Sequence, residues 1–576
     1  MSPISVRSVA DWLGHKPVPT AAPQPGPTTP TPPTTISDYL IQRLHAHGVR
    51  HVFGIPGDYC VAFYNVMQQS GLVEPINTAD EQGAGYAADV YARVRGLGAC
   101  CFTYAVGGLK AVNTTAEAYV ERSPVVVISG APGVRERTRG PLLHHVIRDF
   151  DTQLKIFREV TVDSTVLDNP ATACDEIDRV LSSALRHKRP VYIEFPRDMF
   201  LAPIPIGHEP AEPRMPASNP DALGEALAEA IKLIGNARQP VVLAGEELQR
   251  FGLEAPFLRF VEEAGIPFAT SLLAKALISE RHPLCLGVYD GALAKPEVRA
   301  YVESSDCLIL LGMMLTDINL GLFTARIDPE RAIYVGIDRT SIFHHSYEQI
   351  QIYDFVRALA SSGLPNRAQP LLPERPVPPQ FQPQSGVRIT SSRLYEAING
   401  FIDDDTVVTA DTGEALIGSS DLFIHNNAEY WAPAFYTAVG FAVPAAMGAQ
   451  SANRARRPLV LAGDAAFQMT GVELSTMARY GLNAIVIVAN NGGYGSERPL
   501  HDGPFLDVKE WRYHLWPDVI GAGKGYLVET EEDLAAALRS ARAYTAGPVV
   551  IEVRIARDDY TPAFRRFLEL FAKGVK

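Results

Sequence analysis

The sequence predicts an α/β protein of three doubly wound, mainly parallel-sheet domains, and three observations lead there. Short apolar runs rich in Val and Ile alternate with helical stretches along most of the chain, which is the rhythm of βαβ units. Two Pro-rich stretches, near 201–220 and 364–385, interrupt that rhythm and divide it into blocks. The 576 residues are too many for one hydrophobic core, so about three domains is the natural expectation.

Taken in order, residues 1–35 form a leader whose Pro/Thr-rich part, PVPTAAPQPGPTTPTPPTT, should be extended and poorly ordered. TISDYLIQRLHAHGV places Ser37 as a cap before an amphipathic helix. In the first block, residues 36–200, HVFGIPG, EPINT, ACCFTYA, PVVVISG and PVYIEFP read as strands. The second block, 201–363, offers QPVVLAG, IPFATS, DCLILLG and AIYVGID. It has few chemistry-bearing residues at its strand ends, which suits a structural or regulatory part. After the linker 364–385 the third block, 386–576, carries TVVTADTG, two runs around 459–489, and PVVIEVRI.

Bulk properties exclude several classes. A net charge of −13 argues against a nucleic-acid-binding surface. No apolar run is long enough to span a bilayer, and the N-terminus lacks a basic region followed by an apolar core. The six cysteines (60, 100, 101, 174, 285, 307) show no CxxC spacing, which predicts free thiols in a reducing cytoplasm.

The chemistry concentrates in LAGDAAFQMTGVELSTMARYGLNAIVIVANNGGYGSE, where two β-rich runs flank a helical pattern that Gly481 can end. Asp464 follows the first run, and Asn490 and Asn491 follow the second. In a parallel βαβ unit both positions lie at the carboxyl ends of neighbouring strands, where open α/β sheets bind ligands. A carboxylate, a side-chain amide and the carbonyl of a Gly-rich turn suit magnesium, which takes oxygen ligands and shares its shell with phosphates. Each feature alone is commonly a helix cap or a turn; the joint pattern predicts a magnesium–diphosphate site.

On these residues the chain resembles the thiamine-diphosphate-dependent enzymes, whose signature is Gly-Asp-Gly, some two dozen residues, then Asn-Asn. Here Asn490 follows Asp464 by 26 positions, and Ala465 replaces the signature's last Gly. The resemblance implies the three-domain fold of that family, thiamine diphosphate and Mg2+ as cofactors, and metal ligation by Asp464, Asn491 and the Gly493 carbonyl. It also implies an active site shared between the first domain of one subunit and the third of another, hence a homodimer or homotetramer. In INTADEQGAGYAADVYAR, Glu81 opens a helix; alone it would read as a dipole partner. The resemblance implies that it contacts N1′ of the cofactor's aminopyrimidine and promotes loss of the thiazolium C2 proton.

Asp58 in VFGIPGDYC, His144 and His145 in GPLLHHVIRDF, and Glu497 in YGSERPLH together resemble the pyruvate and indolepyruvate decarboxylase branch. There an Asp, a His pair and a Glu surround the reacting 2-oxo acid. Such groups can move protons near neutral pH. The resemblance further implies that the Thr437 carbonyl accepts the aminopyrimidine amine and that Val439 holds the cofactor bent. Thr412, Glu414, Ala465 and Ala466 would line the diphosphate cradle. Glu414 stands where Thr or Ser is usual, and Ala466 where a hydroxyl is common, which predicts a cradle built from backbone and metal. Phenylpyruvate or indolepyruvate is the expected substrate type, with pyruvate, branched-chain 2-oxo acids, carboligation or a cofactor-free paralogue as alternatives.

Overall fold

The computed structural model describes residues 32–574, apart from 368–369 and 375–377. Most of the expected leader, and part of the expected 364–385 linker, lie outside the described residues. Strands β1 (His51–Gly54), β2 (Glu74–Asn77), β3 (Gly98–Phe102), β4 (Val125–Ala131), β5 (Asp163–Val166) and β6 (Val191–Pro196) form the first sheet. Their order is β2-β1-β3-β4-β6-β5 and every pairing is parallel. The central sheet comprises β7 (Pro240–Ala244), β8 (Phe268–Thr270), β9 (Cys285–Val288), β10 (Cys307–Leu311), β11 (Ala332–Val335), β12 (Thr340–Ile342) and β13 (His345–Tyr347). It runs β13-β12-β11-β10-β7-β8-β9, with an antiparallel edge where β12 joins β11 and β13.

The third sheet contains β14 (Thr406–Ala410), β15 (Glu429–Trp431), β16 (Arg457–Gly463), β17 (Ile485–Asn490), β18 (Lys524–Val528) and β19 (Val549–Arg554). Its order is β15-β14-β16-β17-β19-β18, again all parallel. The central strands of each sheet are buried on both faces and read as apolar runs, as parallel sheets covered by helices require. The short edge strands carry no such run. β13 is largely exposed, β18 is mostly exposed, and β15 is only three residues long; none of them is predicted by the apolar pattern.

One local expectation is corrected. The first helix, Ile36–Ala46, is capped by Thr35 rather than Ser37. Thr35 Oγ1 accepts from the Asp38 N–H at 3.2 Å, and Asp38 Oδ2 accepts from the Thr35 N–H at 3.0 Å. This reciprocal pair satisfies two orphan donors, whereas Ser37 lies inside the helix and fully buried.

The first and third sheets are joined through helices Glu81–Arg95 and Ala442–Ala452. All eleven residues of the second helix are buried, which its apolar sequence permits on every face. Its Gly448 sits so close to the first helix that a Cβ there would lie 2.1 Å from the Ala87 carbonyl oxygen. The seam is a single core, with Ala84, Ala88 and Tyr91 packed among Val443, Ala446 and Met447. Arg93 crosses it, pairing with Asp89 at 2.7 Å and donating to the Ala432 carbonyl. All six cysteines are free and buried, in line with the sequence expectation. No described helix is long and apolar enough to cross a membrane.

Candidate active site

The carboxyl ends of β14, β16 and β17 meet around one cavity. Its wall includes Thr412, Glu414, Val439, Asp464, Ala465 and Ala466. Asn491, Gly493 and Glu497 complete the polar side. Asp464 opens a helix immediately after β16 and is fully buried. Its Oδ1 accepts from the Ala465 N–H at 2.7 Å, and its Oδ2 accepts from the Gly492 and Gly493 N–H groups at 2.7 and 2.9 Å. Burial pushes its carboxyl up to about 6 against the pull of those hydrogen bonds and of Arg498.

The turn after β17 is shaped for this contact. Gly493 has φ 140°, and a Cβ on it would lie 2.1 Å from the Leu506 carbonyl oxygen, so only glycine brings its N–H to Asp464. Arg498, nearly buried, donates to the Asn491 and Gly492 carbonyls at 3.2 and 3.0 Å. The two asparagines differ in task. Asn490 donates to the buried Glu552 at 2.9 Å, while Asn491 faces the cavity. A buried carboxylate, an amide oxygen and a turn carbonyl form an oxygen-only donor set, which fits a hard divalent cation carrying a diphosphate.

Ala465 and Ala466 sit in the helix that Asp464 opens. Ala465 is absent from the positive-φ residues, so the backbone makes no demand for glycine there. Glu414 turns its carboxylate to the Thr561 N–H at 2.7 Å. Burial lifts its carboxyl to about 7, opposed mainly by that hydrogen bond. Thr412 donates through Oγ1 to the Ala438 carbonyl at 3.2 Å. The segment carrying Thr437 and Val439 is held at both ends. Asp411 accepts from the Gly440 and Ala442 N–H groups, and Glu121 accepts from those of Phe435 and Tyr436. Between these clamps Thr437 adopts a left-handed φ of 55°.

The second cluster lies at the carboxyl end of the first sheet. Asp58 Oδ2 and His144 Nε2 are 2.5 Å apart, and the ligand atoms of Asp58, His144 and His145 all lie within 4.8 Å of one another. Buried Tyr59 supports the pair, donating through its hydroxyl to the His144 carbonyl at 3.2 Å, with its ring 5.0 Å from that of His144. Burial raises the Asp58 carboxyl, but the hydrogen bond to His144 and the charges of both histidines outweigh it and hold it below its ordinary value.

Glu81 begins its helix behind the N-cap Asp80, and Lys110 Nζ pairs with it at 2.8 Å. The strand-end loop after β3 links Glu81 to Asp58. Thr103 Oγ1 reaches Asp58 at 3.4 Å, and a Cβ on Gly107 would lie 3.2 Å from Glu81 Oε1. Glu473 of the third sheet's layer accepts from the Ala79 and Asp80 N–H groups and so anchors the start of the Glu81 helix.

Thus one chain brings together Asp464, Asn491, Gly493, Thr412, Glu414, Val439, Ala465, Ala466 and Glu497 in one place, and Asp58, His144 and His145 in another. Thr437 lies on the clamped segment without lining the cavity. Among the described residues no hydrogen bond or ion pair joins the two groups directly. Sequence reasoning missed Tyr59, Thr103, Asp411, Glu121, Glu473 and Arg498. Tyr59, Asp411 and Arg498 carried a local signal, each adjoining a residue singled out for the site.

Known proteins resemble this one throughout. Residues 34–154 match the thiamine pyrophosphate enzyme N-terminal TPP binding domain, 227–362 its central domain and 411–553 its C-terminal TPP binding domain. An indole-3-pyruvate decarboxylase from Azospirillum brasilense is 35% identical over 541 residues, covering 93% of this chain and 98% of that protein. A probable pyruvate decarboxylase from Schizosaccharomyces pombe is 31% identical, covering 92% of this chain and 94% of that protein. An alpha-keto-acid decarboxylase from Mycobacterium leprae is 33% identical, covering 91% and 93%. The chain belongs to the thiamine pyrophosphate enzymes and is a carbon–carbon lyase of their 2-oxo acid decarboxylase branch.

Proposed function

We propose that this enzyme converts a bulky or aromatic 2-oxo acid, such as phenylpyruvate or indolepyruvate, to its aldehyde and carbon dioxide. The cavity wall carries the reading. Besides Glu497 its lining includes the small groups Ala415, Ala465, Ala489 and Ser496 and the apolar Leu394 and Ile398. Such a wall leaves room and apolar surface for a side chain larger than the methyl of pyruvate. The relative named for indole-3-pyruvate supports the same direction.

Bound thiamine diphosphate supplies the carbon nucleophile and electron sink that the decarboxylation requires. Asp464, Asn491 and the Gly493 carbonyl would hold Mg2+, and Thr412 would stand beside the diphosphate. The Thr437 carbonyl would accept the aminopyrimidine amine, Val439 would support the bend, and Glu81 would hold a proton at the pyrimidine ring. Asp58, with His144 and His145, donates and accepts protons at the substrate oxygen and at the carbon that loses its carboxylate. Glu497, on the cavity wall, would stand beside the substrate carboxylate.

The two clusters work together when two copies of the chain face each other. Exposed Leu142 and Ile147 flank the His pair along the chain, exposed Phe435 lies two residues from Thr437, and exposed Met469 lies in the helix that Asp464 opens. Exposed apolar groups of this kind mark surfaces that another protein covers, which supports a homodimer or a pair of dimers. Buried unpaired thiols support a cytoplasmic location.

Aldehyde formation from phenylpyruvate, indolepyruvate, pyruvate and 4-methyl-2-oxopentanoate, with and without thiamine diphosphate and Mg2+, tests the reading. The expected order of kcat/KM places the aromatic acids first, with no turnover unless cofactor is added. A preference for pyruvate overturns the substrate assignment. Release of a hydroxyketone in place of the aldehyde when an acceptor aldehyde is added marks a carboligase. Failure to bind thiamine diphosphate marks a cofactor-free paralogue.

A further inference from the structure

A second cavity lies at the seam between the central and third sheets, away from the catalytic groups. Leu286 and Val288 of β9, Val298 and Phe423 give it an apolar wall. Its charged lining is Glu280, Asp290, Lys295, Glu297 and Asp421. Two of these carboxylates already have cationic partners. Arg566 holds both oxygens of Asp421 at 3.0 and 3.1 Å, and Lys275 holds Glu280 at 2.6 Å.

Asp290 is different. It is 2% exposed, and its Oδ1 has no hydrogen-bond partner. Burial, helped by Asp421 and opposed by Arg566 and Lys275, pushes its carboxyl up to about 7. A buried polar oxygen left without a donor is costly in free energy, and Asp290 lines this cavity. Beside it, Glu297 and Lys295 have no ion-pair partner among the described residues. The lining thus holds two carboxylates without a cationic partner against one ammonium, an excess of one negative charge whenever Asp290 is ionised.

A bare metal ion does not fit this arrangement. Among the described residues, Asp58, His144 and His145 are the only acidic, His or Cys groups whose ligand atoms converge closely enough to hold one. The apolar wall instead suits a ligand with a hydrocarbon body. We propose that this seam cavity is a binding site for a small organic cation, a primary ammonium with a short alkyl or aryl body, anchored on Asp290.

The site is tested on the full-length protein saturated with thiamine diphosphate and Mg2+, so that the catalytic cavity is filled. Calorimetric titration with phenethylammonium chloride is expected to show one saturable site per chain. The uncharged isostere 2-phenylethanol and the anion 3-phenylpropionate should each bind at least about tenfold more weakly, since neither supplies the charge that meets Asp290. Asp290→Asn is expected to weaken the ammonium at least about tenfold. Val298→Trp, which fills the cavity and leaves Asp290 in place, should abolish binding and guards against a folding defect in the first variant. No saturable heat, equal affinity for the isostere, or binding unchanged in either folded variant overturns the proposal.

Discussion

Asp464 is fully buried and receives three backbone N–H groups, whereas the side chain of Asp58 is 47% exposed and rests on His144, itself 54% exposed. Both are carboxylates at the carboxyl ends of parallel strands in sheets of the same topology class. The difference lies in what surrounds them. The third sheet brings its own turn, Gly492 to Arg498, against Asp464 and so encloses that carboxylate within one chain. The first sheet leaves its polar cluster open, with exposed Leu142 and Ile147 flanking the His pair along the chain. A buried carboxylate with a raised proton affinity suits a site where a cation replaces water. An exposed carboxylate–histidine pair suits one still awaiting a cover.

The sharpest way to break this comparison is to disable the two halves in separate chains. Glu81→Gln should lower kcat by about 10²–10⁴-fold while cofactor binding survives. Asp464→Ala should lose cofactor retention, measured by fluorescence titration with thiamine diphosphate and Mg2+. Mixing the two inactive variants under conditions of subunit exchange should restore about a quarter of the wild-type activity if each site takes one half from each copy. No recovery in verified mixed dimers would place both halves in the same chain.

Next in size is Asp58→Asn, which keeps the hydrogen bond to His144 but removes the charge. Turnover should drop by about 100-fold, with cofactor affinity unchanged because the residue lies outside the cavity. A parallel loss of cofactor affinity would show that the halves are less separate than their exposure suggests. Arg498→Met probes the enclosed half. Without its grip on the Asn491 and Gly492 carbonyls, Mg2+ and cofactor should bind about 10–100-fold more weakly. Titration with the metal would read this directly.

The smallest effect concerns Glu414. Its carboxyl is raised to about 7 in the folded protein, with burial as the main cause. The folded state therefore favours the protonated form, and stability falls as pH rises from the ordinary carboxylate range through about 7. Glu414→Gln keeps an acceptor for the Thr561 N–H and removes the ionisation. The variant should melt close to the wild type near pH 5 and above it at pH 8, by an amount on the order of 1–3 kcal/mol. A variant that is less stable at pH 8 would contradict that reading.

The enclosed half was the more legible of the two in the sequence. Asp464, Asn491 and Gly493 fall within thirty residues, on the strand–helix–strand rhythm that periodicity reveals, and the cavity gathers them. The clamps were invisible, because Glu121 reaches Phe435 across 314 positions and Glu473 reaches Asp80 across 393. No local pattern signals such a pairing. The same holds for Asn490, whose partner Glu552 is a strand away. Edge strands escaped for a different reason: β13 and β18 bury too little to need an apolar run. The cap at Thr35 was missed by two positions, because Ser37 and Thr35 are both good capping residues and only the Asp38 reciprocity separates them.

One short helix, Glu414–Ser419, has a wider consequence. Its first residues line the catalytic cavity, while Ser420 and Asp421, immediately beyond its last, line the seam cavity. At 1.5 Å per residue it is a strut of only about 9 Å, short enough to move as a single rigid piece. Substitutions at its far end can therefore tilt the wall beside a bound acid without altering any group that touches it. For anyone reshaping substrate preference, that end is a handle outside the reaction chamber.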